Sequence, residues 1–128
     1  VEASLFISLH LNAASRPVRG LETYCIAPVG MPSHFTRGNP DPVSSKLPNN
    51  PWDAASFQLA ARVHNQMLLK CRMTDRGVRR VRFMSVIKGQ KRPAILVEGG
   101  YLSNPTEAKK IDQKAYRQKL AEGIAAAL

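Results

Sequence analysis

Acidic side chains are scarce in this sequence: nine Asp and Glu stand against 19 Lys and Arg, a formal net charge of +10. Such a surplus points to polyanionic surroundings, whether nucleic acid, anionic lipid or acidic cell-wall polymer, and does not choose among them. Long apolar runs are missing too. None approaches the roughly 18 residues of a membrane-spanning helix, so no such span is expected. Cysteine is confined to Cys25 and Cys71, with no Cys-x-x-Cys and no Cys/His metal spacing. Cys25 lies in a strand-like run and Cys71 ends a helical pattern, so both are read as free, buried thiols. Aromatics amount to 6% of the chain and do not interleave with the basic cluster Arg79, Arg80, Arg82, Lys88, Lys91 and Arg92. No nucleic-acid motif accompanies that cluster, so no nucleic-acid partner is expected.

What is present fits one domain: 128 residues suffice for a single sizeable core. The chain opens on Val1 and is almost at once strand-like, Leu5-Phe6-Ile7-Ser8-Leu9. It is therefore expected to begin inside a longer protein or after processing. Along the first strand Leu5, Ile7 and Leu9 share one face and Phe6, Ser8 and His10 the other, which leaves His10 at the carboxyl end. Leu21 to Ile26 reads as a second strand. From about 28 to 52, prolines at 28, 32, 40, 42, 48 and 51 forbid a regular element. An irregular insertion of that length inside a domain suggests a binding loop or lid. Asp53 is a plausible N-cap for a helix striped by Leu59, Val63, Met67 and Cys71. His64, beside that stripe, is expected to be a partly exposed helix histidine. Thr74 to Val78 reads as a connection and Val81 to Ile87 as a third strand.

Ala94 to Val97 then forms a continuous apolar run, the mark of a strand buried on both faces, and delivers Glu98 where two glycines break it. A buried carboxylate needs a proton, a cationic partner or the mouth of a site. Asn104-Pro105-Thr106-Glu107 starts a helix with Pro105 at its first position, and a last helix buries Tyr116, Leu120, Ile124 and Leu128. Strands interspersed with helices indicate an α/β fold with a mostly parallel sheet, whose ligands bind beyond the carboxyl ends of strands. His10 and Glu98 both occupy such ends. The competing reading makes His10 a satisfied core histidine and Glu98 a cap for nearby backbone N–H groups.

Four segments carry a resemblance. Leu5-Phe6-Ile7-Ser8-Leu9-His10-Leu11-Asn12-Ala13, Arg19-Gly20-Leu21-Glu22-Thr23-Tyr24, Arg76-Gly77-Val78 and Leu96-Val97-Glu98-Gly99-Gly100-Tyr101-Leu102-Ser103-Asn104 are similar to the zinc-dependent N-acetylmuramoyl-L-alanine amidases of the type 3 family, in the family's order. The resemblance implies an extracytoplasmic cell-wall hydrolase that cuts the amide between N-acetylmuramic acid and the L-alanine of the stem peptide. It implies that His10 is a Zn2+ ligand and Glu98 the catalytic carboxylate. It implies that Asn12, Arg19 and Asn104 are substrate-binding residues; with Glu22 they match positions near the cleft, and Asn12 and Asn104 are expected to shape turns rather than take part in the chemistry.

The family's Gly-His-Gly strand end and helix glutamate, its other two ligands, have no counterpart here. Three protein ligands are the norm for catalytic zinc, so the fragment alone is expected to be inactive. The remaining ligands, and the strands that complete the sheet, are expected from a missing N-terminal segment or another chain. His34, in the Pro-rich loop, is read as solvated rather than as a substitute ligand. The alternative function is a non-catalytic amidase-like module that binds wall or a partner.

Overall fold

A computed structural model describes residues 2–128, and among them four strands and four α-helices are assigned. The strands are β1 (Phe6–Asn12), β2 (Leu21–Ile26), β3 (Asp75–Val81) and β4 (Ala94–Tyr101). The helices are α1 (Asp53–Cys71), the single turn α2 (Ser85–Lys88), α3 (Pro105–Asp112) and α4 (Lys114–Ala126). The sheet runs β1-β4-β2-β3. β1 with β4 and β2 with β3 are parallel, as the alternation of strands and helices implies, while β2 with β4 is antiparallel. The fold is therefore α/β with a mixed sheet.

β4 is buried along its whole length. Its alternation divides the core: Ile95 and Val97 join α1, Ile111 and Tyr116 on one face, whereas Ala94 and Leu96 join Tyr24, Ile26 and Ile87 on the other. Each such aliphatic side chain contributes about 1.5–3 kcal/mol on burial. The glycines after Glu98 do not break the strand, which runs on to Tyr101. They let it bend instead. Gly100 sits at φ +128°, where a Cβ would also meet Ile111 Cδ1 at 3.1 Å, and the β1 pairing shifts register there. On the helical face α4 crosses α1 closely: a Cβ on Gly123 would stand 3.1 Å from Met67 Cα.

The third strand lies earlier than the hydrophobic pattern suggests. It is Asp75–Val81, and 85–88 is helical. The strand is hidden in the sequence because Arg76, Arg79 and Arg80 occupy half-buried positions where their aliphatic stems cover the sheet. Asp53 is the first helical residue of α1 rather than its cap, because a 3₁₀ turn over Asn50–Trp52 leads into the helix. His64 is buried, not partly exposed: Thr23 Oγ1 lies 3.0 Å from Nδ1 and Asp75 Oδ1 2.8 Å from Nε2. Cys25 and Cys71 are free and buried.

Opposite α1, α3 and α4, the Pro-rich stretch packs on the sheet around one cation. Arg82, 1% exposed, donates Nε to the Pro42 carbonyl at 3.2 Å and Nη1 to those of Ala27 and Pro28 at 3.1 and 2.9 Å. Its Nη2 reaches the Ser45 carbonyl. Asn49 ties the same stretch to the carbonyls of Gln90 and Arg92, both at 2.8 Å. Phe35 stands edge-on to Tyr24 and Phe83, with centroids 5.9 and 5.4 Å away. A segment without regular structure is thus fixed by side-chain bonds to its own carbonyls. Arg82 accordingly drops out of the surface basic cluster, and Arg80 lies over the Phe57 ring at 4.6 Å.

Candidate active site

Register brings three residues into one row across three strands. His10 on β1 is paired with Glu98 on β4, and Glu98 is paired with Glu22 on β2. Register partners point to the same side of a sheet, about 4.8 Å apart strand to strand. That side is the one covered by Phe35 and the Pro-rich stretch, as the placement of Tyr24 and Leu96 shows.

The two carboxylates are treated oppositely by their surroundings. Burial alone would push Glu22 up, but hydrogen bonds from Tyr101, Tyr24 and Arg76, with the charge of Arg76, prevail and hold it below its ordinary value. Tyr24 donates at 2.6 Å, and Tyr101 Oη and Arg76 Nε complete the set. Glu98 has no such help. It is 8% exposed, its Oε2 has no hydrogen-bond partner among the described residues, and burial followed by the charge of Glu22 pushes its carboxyl up to about 7, against a smaller pull from Arg37. An ionised carboxylate beside a carboxyl poised near neutrality is the arrangement that separates a fixed charge from a proton carrier. Glu98 can therefore take and return a proton near pH 7.

Neither part of the competing reading stands: His10 is exposed, and the unpartnered Glu98 oxygen caps nothing. Asn12 accepts from the Ala13 amide at 2.9 Å and lines the cleft beside Glu22. Asn104 caps α3, accepting from the amides of Thr106 and Glu107 at 3.1 Å each, and donates to the Arg16 carbonyl at 3.2 Å. Its carboxamide is thus bonded within the fold, in keeping with a turn-shaping role. Asn104→Ala is expected to lower stability by about 1 kcal/mol, read from a denaturant midpoint. Arg19 is exposed and is not among the residues lining the cleft. His34 is exposed, and its Nδ1 accepts from the Arg80 amide at 3.1 Å.

Glu22 predicts a pH dependence of stability. Its folded carboxyl lies below its ordinary value of 4.5, so the unfolded chain takes up the proton first. The stabilisation is complete above about pH 4.5 and is lost as the pH falls through the folded value. The melting temperature is expected to drop below about pH 4.5, and Glu22→Gln to flatten that drop.

Among the described residues no group of three or more His, Cys, Asp and Glu could hold a metal ion. His10 offers one exposed imidazole. Catalytic zinc takes three protein ligands, so the donors of residues 2–128 do not by themselves make a zinc centre.

Two features are not legible in the sequence. Glu107 is 4% exposed, and its carboxylate accepts from the amides of Gly20 and Tyr101 at 2.9 Å each, locking the entrance of β2 to the end of β4. Its only signal is an acidic residue in a first helical turn. The second is the cleft itself, about 320 Å³, which Arg37, Arg76 and Arg79 help to line.

The mixed α/β domain thus sets a buried carboxylate, Glu98, beside an exposed histidine, His10, on adjacent strands. The family described as N-acetylmuramoyl-L-alanine amidase matches residues 1–128. The N-acetylmuramoyl-L-alanine amidase LytC of Bacillus subtilis (strain 168) is 31% identical over 126 residues, covering 96% of this chain and 20% of LytC. The crystal structure of N-acetylmuramoyl-L-alanine amidase from Clostridium difficile 630 superposes with a TM-score of 0.73 at 29% identity, covering 98% of this chain and 55% of that one. The catalytic domain of CwlV from Bacillus (Paenibacillus) polymyxa var. colistinus gives 0.72 at 28%, with coverage of 98% and 55%. The chain belongs to the N-acetylmuramoyl-L-alanine amidase family, and it spans about half or less of the length of these relatives.

Proposed function

We propose that the full-length protein is a peptidoglycan hydrolase acting outside the cytoplasm on the amide between N-acetylmuramic acid and L-alanine, with Glu98 as its general base. The observation that carries this reading is the buried, unpartnered oxygen of Glu98 in the row with His10 and Glu22. Glu98 takes the proton of the attacking water and returns it to the departing amine of L-alanine. Glu22, clamped by three donors, stays ionised and keeps Glu98 basic.

Zinc belongs to this reading through His10. One ligand does not hold a catalytic zinc, so the remaining donors must come from polypeptide other than residues 2–128. Support for additional polypeptide comes from β1, which among the described residues has β4 as its one sheet neighbour, and from a groove of about 510 Å³ beside it that includes Leu9, Leu11, Leu120 and Ile124. Open strand edges and apolar patches of this kind are normally covered.

The lack of a three-donor cluster among the described residues favours one alternative, a non-catalytic module that binds wall or a partner. Metal analysis separates the two. Stoichiometric zinc in the full-length protein, with cleavage of purified sacculi that a chelator stops, is the expected result. Metal-free full-length protein that sediments with sacculi and leaves them intact would favour the module.

A further inference from the structure

The cleft lined by Glu22, the register neighbour of Glu98, is charged in a way that proton transfer does not require. Its lining includes Arg37, Arg76 and Arg79 against a single carboxylate, Glu22, with apolar walls from Val18 and Phe35. Arg76 is fixed: its Nε is on Glu22 and its guanidinium lies over the Tyr101 ring at 5.3 Å. Arg79 donates Nε to the Arg76 carbonyl at 3.0 Å, which leaves its terminal nitrogens for a ligand. Arg37 makes no hydrogen bond or ion pair among the described residues. It stands on the stretch pinned by Arg82, and its charge is felt at Glu98. Two uncommitted guanidinium groups in the same lining as a third, fixed one offer donors to a planar anion, since the guanidinium fork matches carboxylate geometry. The volume, about 320 Å³, lies at the small end of ligand sites, which run from about 300 to 1,000 Å³.

We propose that this cleft is a carboxylate subsite that selects stem peptides bearing a free acid on the residue that follows L-alanine. The inference rests on the amidase reading, which puts the stem peptide beside Glu98. On this view the Pro-rich stretch carries Arg37 and Phe35 to the cleft, where they serve as specificity residues rather than as a mobile cover. A stem in which that acid is a carboxamide presents no charge to the arginines. Charge-assisted hydrogen bonds are roughly twice as strong as neutral ones, so the acidic form is expected to bind about tenfold more tightly.

The test uses full-length protein carrying Glu98→Gln, so that ligands are not consumed. Calorimetric titrations compare N-acetylmuramoyl-L-alanyl-γ-D-glutamyl-L-lysinamide, in which the free acid is the α-carboxylate of the second residue, with its D-isoglutaminyl counterpart, in which that acid is a carboxamide and no carboxylate remains on the stem. About a tenfold preference for the acid, reduced to near unity by Arg37→Gln with Arg79→Gln, is expected. Equal affinity for the two ligands, failure to bind either, or a preference that survives both substitutions would overturn the subsite. Because the first comparison needs no arginine variant, misfolding of one does not rescue the idea. Binding of poly(glycerol phosphate) that competes with the acidic ligand and is lost with the same arginines would instead make the cleft a general polyanion site and also overturn it. Sacculus cleavage by the unmodified protein is scored separately: cleavage without an acid preference removes the subsite alone, and an acid preference without cleavage removes the amidase reading alone.

Discussion

Glu98→Gln in the full-length protein is expected to lower kcat on purified peptidoglycan by about 10²–10⁴-fold, the range in which a positioned proton carrier contributes. The amide keeps the shape of the carboxyl but cannot accept and return a proton. Because Glu98 Oε2 makes no hydrogen bond among the described residues, the exchange breaks no contact at that atom, and the melting temperature should change little. That pairing of outcomes is specific: a large loss of turnover with an intact fold places Glu98 in the chemistry. A loss of less than about tenfold would remove it from the role of base. Glu22→Gln serves as the contrast. It strips a partner from Arg76, Tyr24 and Tyr101 at once, so stability should fall together with activity.

Arg82→Met should be the most destabilising single change outside the core, by about 3–5 kcal/mol in a denaturant titration. Methionine fills much of the space, but four carbonyls, of Ala27, Pro28, Pro42 and Ser45, lose a charged donor together. Buried acceptors left unmade cost about 1–3 kcal/mol each before relaxation. The damage should be local in its first stage. Protease cleavage between 28 and 52 is expected to appear before global unfolding, because α1, α3 and α4 pack on the opposite face of the sheet. Resistance to proteolysis equal to that of the unmodified protein would show that the stretch is held by something other than Arg82.

The row of site residues is readable where side-chain period and strand ends decide position. Ala94 to Val97 is apolar at every position because both faces of β4 are covered, and that pattern puts Glu98 on the strand directly after the run, although the strand continues to Tyr101. His10 follows from simple alternation along β1. Elements resting on arginine are not readable. β3 carries Arg76, Arg79 and Arg80, whose stems pack like hydrophobic side chains while their symbols read as surface charge, so the pattern displaces the strand by several residues. Arg82 has the same disguise. In a run of basic residues it looks solvated, and only the tertiary convergence of four loop carbonyls makes it the most buried cation of the described residues. The Pro-rich stretch is irregular, as its composition requires, yet its order comes from such long-range bonds, which no local pattern encodes. His64 is misplaced by the pattern for a related reason: its partners Thr23 and Asp75 are 41 and 11 positions away.

The resemblance adds what periodicity cannot, namely a bond to expect as the target and a metal to expect beside it, and the family match shows the family. The position of Glu98 beside Glu22 is the observation on which the proposed chemistry of this chain rests.

Incubating the full-length protein with purified sacculi and labelling the amino groups released tests the account most directly. New amino-terminal L-alanine, appearing with unmodified protein and absent with Glu98→Gln, is the predicted result. Release of reducing sugar ends instead, or of no new termini from folded, zinc-supplied protein, would contradict it.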